Sequence, residues 1–184
     1  MHLNMNASIP DGSIVFIGDS IMQGLSVFSV TEKGINFGIG GDTTIGVLNR
    51  IDRYEILHRV GAIVIAIGIN DIPRRENSEI IENYKKIAGK LPKEVPIYFS
   101  SILPVDEKAA KRHRNYRISE LNNALNAICG EYSNVTFVDT GAGLKDYPSG
   151  SLKSRFHKGN GFHLNDMGYK QWIIALRGFL KNYN

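Results

Sequence analysis

The chain has 184 residues, of which 42% are hydrophobic and 22% are charged, and its net charge is +4. These values suit one globular domain with a sizeable core and exclude a disordered chain, and the single cysteine, Cys129, excludes an intrachain disulfide framework. Because residues 1–13 lack a signal-peptide pattern and no apolar run reaches bilayer length, we expect a cytoplasmic protein without membrane insertion.

Short apolar runs, rich in valine and isoleucine, alternate along the chain with longer amphipathic stretches. Continuous β-branched runs of this length are typical of strands that are buried on both faces. The five predicted strands are Ser13–Gly18, Gly34–Phe37, Gly61–Gly68, Pro96–Leu103 and Asn134–Val138.

The stretches between the strands repeat apolar residues at helical spacing. Asp42 and Asn165 precede two of them and are suited to act as N-caps. Cys129 follows Ala127 and Ile128, which predicts a buried position on a helix rather than a reactive thiol. The predicted helices are the start of segment 19–31, Thr43–Leu57, Ser78–Lys90, Asn115–Glu131 and Asp166–Leu180.

This alternation predicts a three-layer α/β/α domain with five parallel strands, for which we expect the flavodoxin-like order 2-1-3-4-5. We assign residues 1–184 to one domain, with a core at about 13–180, because the sequence contains no repeat, low-complexity tract or linker. In such sheets ligands bind beyond the carboxyl ends of the strands. A motif that carries chemistry should therefore come directly after an apolar run.

Three motifs fulfil this expectation. Gly18-Asp19-Ser20 follows the first strand and places a hydroxyl at a helix N-terminus, which favours negative charge. The segment 38–44 follows the second strand, and its three glycines allow a backbone N–H to face a cleft. Asn70 follows the third strand and can donate to an oxyanion. Taken singly, each motif is equally explained as a helix cap or a turn, and 38–44 also as a phosphate loop, although its spacing is not that of a Walker motif.

A fourth motif, Asn160-Gly161-Phe162-His163, lies in a glycine-containing loop before the last helix. A histidine delivered from such a loop is suited to general-base catalysis. The four blocks GDS, GIGGD, GIND and GFHLN, in this order, resemble the SGNH (GDSL) hydrolases. The resemblance extends from Ser13 to about Leu180 and is greatest to platelet-activating-factor acetylhydrolase catalytic subunits and bacterial carbohydrate O-acetylesterases.

The resemblance implies a serine esterase that cleaves a short-chain ester, with O-acetyl groups on a glycan or small metabolite as the first expectation. Ser20 would be the nucleophile, His163 its base, and Ser20, Gly41 and Asn70 the oxyanion hole. Such an enzyme needs no metal and no cofactor. An acyltransferase, lipase or thioesterase would use the same residues, and the acting species could be a monomer or a homodimer.

One position departs from the family pattern, because Asn160 stands where the family usually has an aspartate. An aspartate there would fix the tautomer of His163 and stabilise its charged form, whereas asparagine brings no charge. Four interpretations follow: a Ser–His dyad enzyme, a catalytically silent binding module, a deliberately inactivated chain, or another carboxylate such as Asp166 on the histidine. We favour the dyad because the other catalytic groups are present.

Charged residues near the motifs are candidate substrate contacts. Lys153, Arg155 and Lys158 precede His163 and could attract an anionic ester, whereas the group around His113 is expected to be a solvated face. No recognition motif accompanies these charges, so nucleic acid is an unsuitable partner. Arg74 and Asp19 are further candidates, although Asp19, like Asp42 and Asp71, is better explained as a cap or loop-fixing acceptor. We expect His113 and His157 to be surface residues. The candidate substrate contacts are Asp19, Arg74 and Arg155.

Overall fold

The computed structural model describes residues 9–181 and contains one five-stranded parallel sheet. The strand order is β2-β1-β3-β4-β5, which confirms the predicted flavodoxin-like arrangement. The sequence expectations about residues 1–8 and 182–184 lie outside the described residues. The strands are β1 Ile14–Gly18, β2 Gly34–Gly38, β3 Ala62–Ala66, β4 Ile97–Ser100 and β5 Val135–Val138.

The fourth strand is shorter than the apolar run that predicts it. Pairing stops at Ser100, although the run continues to Leu103. Beyond this point the side-chain amide of Asn122 hydrogen-bonds the backbone of Ile102. The amide oxygen of Asn122 accepts the N–H of Ile102, and the amide nitrogen donates to the Ile102 carbonyl. A side chain on a helix thus replaces the neighbouring strand as hydrogen-bond partner, and no sequence period signals that exchange.

Five helices surround the sheet. The helix α2 is shorter than predicted, since it ends at Arg50 and two 3₁₀ turns, Ile51–Arg53 and Glu55–His58, follow it. Its N-cap is Thr43 and not Asp42, whose carboxylate is held by Arg50 at 2.7 Å. Asn165 caps α5 as predicted. The helices are α1 Ser20–Gln23, α2 Thr44–Arg50, α3 Asn77–Lys90, α4 Asn115–Cys129 and α5 Asp166–Phe179.

The helices form two layers around the sheet. α2, α3 and α4 pack side by side on one face, and α5 lies with α1 on the other, where the Tyr169 hydroxyl donates to the Ile21 carbonyl. All of β1 is buried, as its apolar run predicts, and Trp172 of α5 is buried with its N–H donated to Thr140. Cys129 is buried and unpaired, as expected. Between residues 9 and 181, no helix is long and apolar enough to cross a membrane.

Candidate active site

Three of the predicted motifs meet at the carboxyl edge of the sheet. Gly18 at the end of β1 is in register with Gly38 on β2 and with Ala66 on β3. The loops that leave these strands therefore start at the same level, and they carry Ser20, the glycine segment 38–44 and Asn70. This convergence follows from parallel strands in register, because all carboxyl ends then lie on one edge.

Ser20 is the first residue of α1, and Asp19 sets its position. Asp19 adopts an extended backbone conformation and its carboxylate accepts the N–H of Ile21 at 2.8 Å. The Asp19 side chain is thus a helix cap, and with 3% exposure it is placed inside the protein rather than toward a substrate. Burial raises the pKa of this carboxyl to about 7, with Asp42 and Asp71 adding repulsion.

Because its pKa is raised, the Asp19 carboxylate destabilises the folded protein when it is ionised, and this effect depends on pH. Its folded-state pKa lies above the unfolded value, so stability falls as the pH rises through that interval and the cost is complete above about pH 7. Asn can make the same cap without charge. We therefore expect Asp19→Asn to raise the melting temperature, and to raise it more at alkaline pH than near pH 4, as scanning calorimetry would measure. An equal shift at both pH values would contradict this assignment.

The glycine segment and the Asn70 loop are tied to each other. Gly41 has a φ of +74°, and a Cβ built on it would point into open space, so its backbone can border the cleft. The Asn70 amide donates one N–H to the Asp42 carbonyl at 2.9 Å and keeps a second N–H for another acceptor. Asp71 accepts from the backbone N–H and hydroxyl of Thr44, at 2.9 and 2.8 Å. Asp71 thus fixes both loops, as the sequence indicates.

His163 reaches Ser20 from the loop before α5. The Ser20 hydroxyl oxygen lies 2.8 Å from Nε2 of His163, although the two residues are 143 positions apart. An antiparallel bridge between His157 and Leu164 closes the loop that presents the ring. Partial burial, and secondarily the charge of Lys158, lower the pKa of His163. The lowered pKa favours the neutral ring, which a general base requires.

Asn160 contacts the other ring nitrogen, and its orientation is set by the backbone. Its side-chain oxygen accepts the N–H of His163 at 3.0 Å and that of Phe162 at 3.4 Å, which leaves its NH₂ 2.7 Å from Nδ1 of His163. If the amide were rotated by 180°, its NH₂ group would face two backbone N–H donors and both hydrogen bonds would be lost. In this arrangement Nδ1 accepts and Nε2 carries the proton, so the Asn160 amide favours the tautomer of His163 that cannot take a proton from Ser20, and only the minor tautomer can act as the base.

His113 is buried, which corrects the expectation of a surface position. It is 8% exposed, its Nε2 contacts the Ile69 carbonyl at 3.1 Å, and burial lowers its pKa. Within residues 9–181, its Nδ1 is the buried side-chain atom without a hydrogen-bond partner. The ring of Phe162 lies between those of His113, at 5.3 Å, and His163, at 4.3 Å. His113 therefore connects the Asn70 loop to the His163 loop.

His157 also departs from the surface prediction. Its side chain is 7% exposed, and its Nε2 lies 3.3 Å from a carboxylate oxygen of Asp106. Its Nδ1 accepts the backbone N–H groups of Gly159 and Gly161, at 3.0 and 3.2 Å. The histidine thus organises the loop that carries Asn160, and the spacing of residues in the sequence does not indicate it.

Of the three candidate substrate contacts, Asp19 is buried and the two arginines lie on the surface. Arg74 is exposed beyond the Asn70 loop, and Arg155 is exposed with its guanidinium over the ring of Phe156. Arg155 lines a polar surface cavity together with Asp106 and Asp146. Asp166 stands in the first turn of α5, whereas the hydrogen-bond partner of Nδ1 of His163 in the described chain is Asn160.

Sequence reasoning missed the ionic support beneath the glycine segment. Arg50 forms two hydrogen bonds to Asp42, at 2.9 and 2.7 Å, and one to the Tyr54 hydroxyl. The side chains of both members of this ion pair are largely buried, with 14% and 9% exposure, so the pair fixes the backbone at Asp42. The spacing of eight residues between them is not a recognisable signal, because the pair depends on how α2 packs.

Comparison with known proteins gives the family of the chain. Residues 16–171 match the model of the GDSL-like lipase/acylhydrolase family, and the chain belongs to that family. In the part of the chain that the structure describes, no three His, Cys, Asp or Glu side chains are grouped to hold a metal ion.

Individual relatives cover most of the chain. The platelet-activating factor acetylhydrolase IB subunit alpha1 of Rattus norvegicus is 28% identical over 177 residues, which is 91% of this chain and 74% of that protein. A Streptococcus pneumoniae structure, provisionally described as a platelet activating factor, has a TM-score of 0.88 and 29% identity, covering 97% of this chain and 89% of that one. An acetylxylan esterase of Geobacillus stearothermophilus, at 20% identity, a TM-score of 0.70 and 94% coverage of both chains, shares the fold.

Proposed function

We propose that this protein is a serine esterase in which Ser20 is the nucleophile. The observation that carries the proposal is the distance of 2.8 Å between the Ser20 hydroxyl and Nε2 of His163, at the edge of the sheet where the Gly41 and Asn70 loops converge. Ser20 would attack the ester carbonyl while His163, in the minor tautomer that carries its proton on Nδ1, takes the Ser20 proton and returns it to the leaving alcohol. Water would then hydrolyse the acyl-Ser20 intermediate.

The oxyanion of the tetrahedral intermediate would lie between three donors. These are the backbone N–H groups of Ser20 and Gly41 and the N–H of Asn70 that is not donated to Asp42. The Asn70 side chain is held on the side of the cleft by that one hydrogen bond, so it is oriented before substrate arrives. Donors that need no rearrangement stabilise the transition state more than the ground state.

The substrate we propose is a short-chain carboxylic ester, with an O-acetyl group on a glycan or small metabolite first. The rat and Geobacillus relatives are named for acetyl esters. Arg74 and Arg155 would attract an anionic substrate from the exposed surface. Transfer of the acyl group to another alcohol, or cleavage of a lipid or thioester, would use the same residues.

A cytoplasmic location and action as a monomer or homodimer belong to this proposal as well. A second candidate function, a binding module without catalysis, is favoured by one observation, the NH₂ group of Asn160 that faces Nδ1 of His163. It predicts that an ester binds at Ser20 and is not cleaved.

Hydrolysis of a chromogenic acetate ester tests the proposal. We expect slow turnover by the chain and transfer of one acetyl group to Ser20 in the mass spectrum of quenched protein. In Ser20→Ala the turnover should fall by about 10² and the acetylated species should be absent. Ser78→Ala, at an exposed serine in α3, is the matched control and should keep both signals. Turnover in Ser20→Ala that equals that of the parent chain would overturn the nucleophile assignment, and binding without acetylation would favour the silent module.

Removal of the Asn70 donor should slow the reaction without unfolding the protein. We expect Asn70→Ala to lower kcat by about 10²–10³, with a much smaller change in KM, because the lost hydrogen bond forms mainly in the transition state. Asn134→Ala is the control, since Asn134 also anchors a loop through two carbonyls, at the opposite edge of the sheet. If kcat fell equally in Asn70→Ala and Asn134→Ala, the role of Asn70 would be structural only.

The pH dependence should report the neutral form of His163. Because burial and Lys158 lower its pKa, we expect kcat/KM to rise with pH along an acid limb that lies below the ordinary histidine value of 6.5. Asn160→Asp places a carboxylate on Nδ1, which stabilises the charged ring, so its limb should move to higher pH. Rate profiles measured between about pH 5 and pH 8 decide this, and a limb that moves to lower pH would contradict the assignment.

A further inference from the structure

The segment Asn160-Gly161 is the single Asn-Gly pair in the sequence, and it lies beside His163. Asn160 is exposed to solvent, and Gly161 has a φ of +86°. An asparagine side chain can be attacked by the backbone nitrogen of the next residue, and glycine leaves that nitrogen sterically open. The attack produces a cyclic succinimide and ammonia, and water then opens the ring to aspartate or isoaspartate.

The attacking nitrogen has a base in contact with it. The N–H of Gly161 donates to Nδ1 of His157, and Nε2 of the same ring lies against a carboxylate oxygen of Asp106. Because Nδ1 accepts two backbone N–H groups, the proton of the neutral ring is on Nε2, where Asp106 can accept it. The Nδ1 lone pair of His157, whose Nε2 lies against the Asp106 carboxylate, thus faces the proton that the Gly161 nitrogen must lose when it attacks.

The carbonyl under attack is also polarised. The backbone N–H groups of Phe162 and His163 both donate to the side-chain oxygen of Asn160. They would stabilise negative charge on that oxygen as an oxyanion hole does. The amide nitrogen, which must depart, faces Nδ1 of His163 on the exposed side of the loop, where ammonia can leave and water can enter.

We propose that Asn160 is a self-modification site, and that its deamidation completes a triad of Ser20, His163 and the new carboxylate at position 160. The nitrogen of Gly161 forms a bond to the side-chain carbonyl carbon and gives its proton to His157. The carbon–nitrogen bond of the amide breaks, and the leaving nitrogen departs as ammonia after taking a proton from His157 or solvent. Water then adds to the side-chain carbonyl carbon, the bond between that carbon and the Gly161 nitrogen breaks, and the nitrogen takes back a proton. The net reaction consumes one water and produces one ammonium and one carboxylate.

The same donors direct the ring opening toward aspartate. They keep the former Asn160 oxygen polarised in the succinimide, which makes its carbon the preferred site for water. Isoaspartate would add a main-chain carbon in a loop that is closely packed, because a Cβ on Gly161 would lie 2.6 Å from the Asp106 oxygen and the Ala110 nitrogen. The resulting carboxylate would keep the backbone N–H contacts on one oxygen and accept Nδ1–H on the other.

Peptide mapping by mass spectrometry tests the modification without any substrate. Freshly purified protein is held near neutral pH, and the fraction of residue 160 that has gained about 1 Da is followed in folded protein and in urea. Since a positioned base contributes about 10²–10⁴, we expect at least about tenfold faster conversion in the folded chain. His157→Gln should lose that excess, Asp106→Asn should lose part of it, and the exposed control His58→Gln should keep it.

Three outcomes would overturn the proposal: conversion that is no faster when folded, conversion that is unchanged in both loop variants while circular dichroism shows them folded, or isoaspartate as the product. The effect on catalysis rests on the proposed esterase function and is separable from the chemistry. The aged fraction should gain esterase activity in proportion to its aspartate content. Conversion without that gain, together with an inactive Asn160→Asp, would overturn the esterase function and leave the modification site intact.

Discussion

Asn160→Asp should raise kcat for a chromogenic acetate by about 10⁴. The reverse change, Asp to Asn in the Ser-His-Asp triad of serine proteases, lowers kcat by that amount. The reason is local. The present NH₂ group forces Nδ1 of His163 to accept, whereas a carboxylate there accepts Nδ1–H and frees Nε2 to take the proton of Ser20. The carboxylate also stabilises the imidazolium that forms when that proton arrives.

This prediction is measured as steady-state turnover of freshly purified protein, before any conversion of Asn160 can contribute. Asn165→Asp is the matched control, because it makes the same chemical change in the same loop, at the cap of α5, without touching the ring of His163. A gain in Asn165→Asp as large as that in Asn160→Asp would contradict the tautomer argument. So would a turnover in Asn160→Asp that equals that of the parent chain.

Ser20→Ala should cost about 10² in the parent chain but about 10⁶ in the Asn160→Asp background. Catalytic groups that act as a unit are not additive, so a nucleophile contributes fully only when its base is in the productive tautomer. The four proteins form a double-mutant cycle, and kcat of each on the acetate ester gives the coupling between positions 20 and 160. Both Ser20→Ala variants should end at the same low rate, which the oxyanion donors alone sustain.

Equal losses in the two backgrounds would mean that residue 160 acts independently of Ser20. That result would reject a shared proton path through His163 and leave Asn160 as a loop residue only. A loss of about 10⁶ in the parent chain would show instead that Asn160 already orients His163 productively.

The parallel sheet and its strand order could be predicted from the sequence, and the structure brings the predicted motifs to one edge of that sheet. Five β-branched runs and four motifs were sufficient, because parallel strands need crossover helices and bring their carboxyl ends to one edge. The residues at which individual strands and helices end could not be predicted as well. Pro96–Leu103 forms one apolar run, yet Asn122 ends the strand at Ser100 by taking the backbone of Ile102. Likewise, α2 ends at Arg50 although apolar spacing continues to Leu57.

How the site is held, and in which state, depends on the folded chain. Two orientations of the Asn160 amide are compatible with the sequence, and the choice between them follows from backbone N–H groups whose positions exist only in the folded loop. The burial of His113 and His157 was also invisible, since both are isolated polar residues whose partners lie 44 and 51 positions away. Sequence patterns carry the period of strands and the order of motifs, whereas hydrogen-bond direction and burial depend on contacts between distant segments.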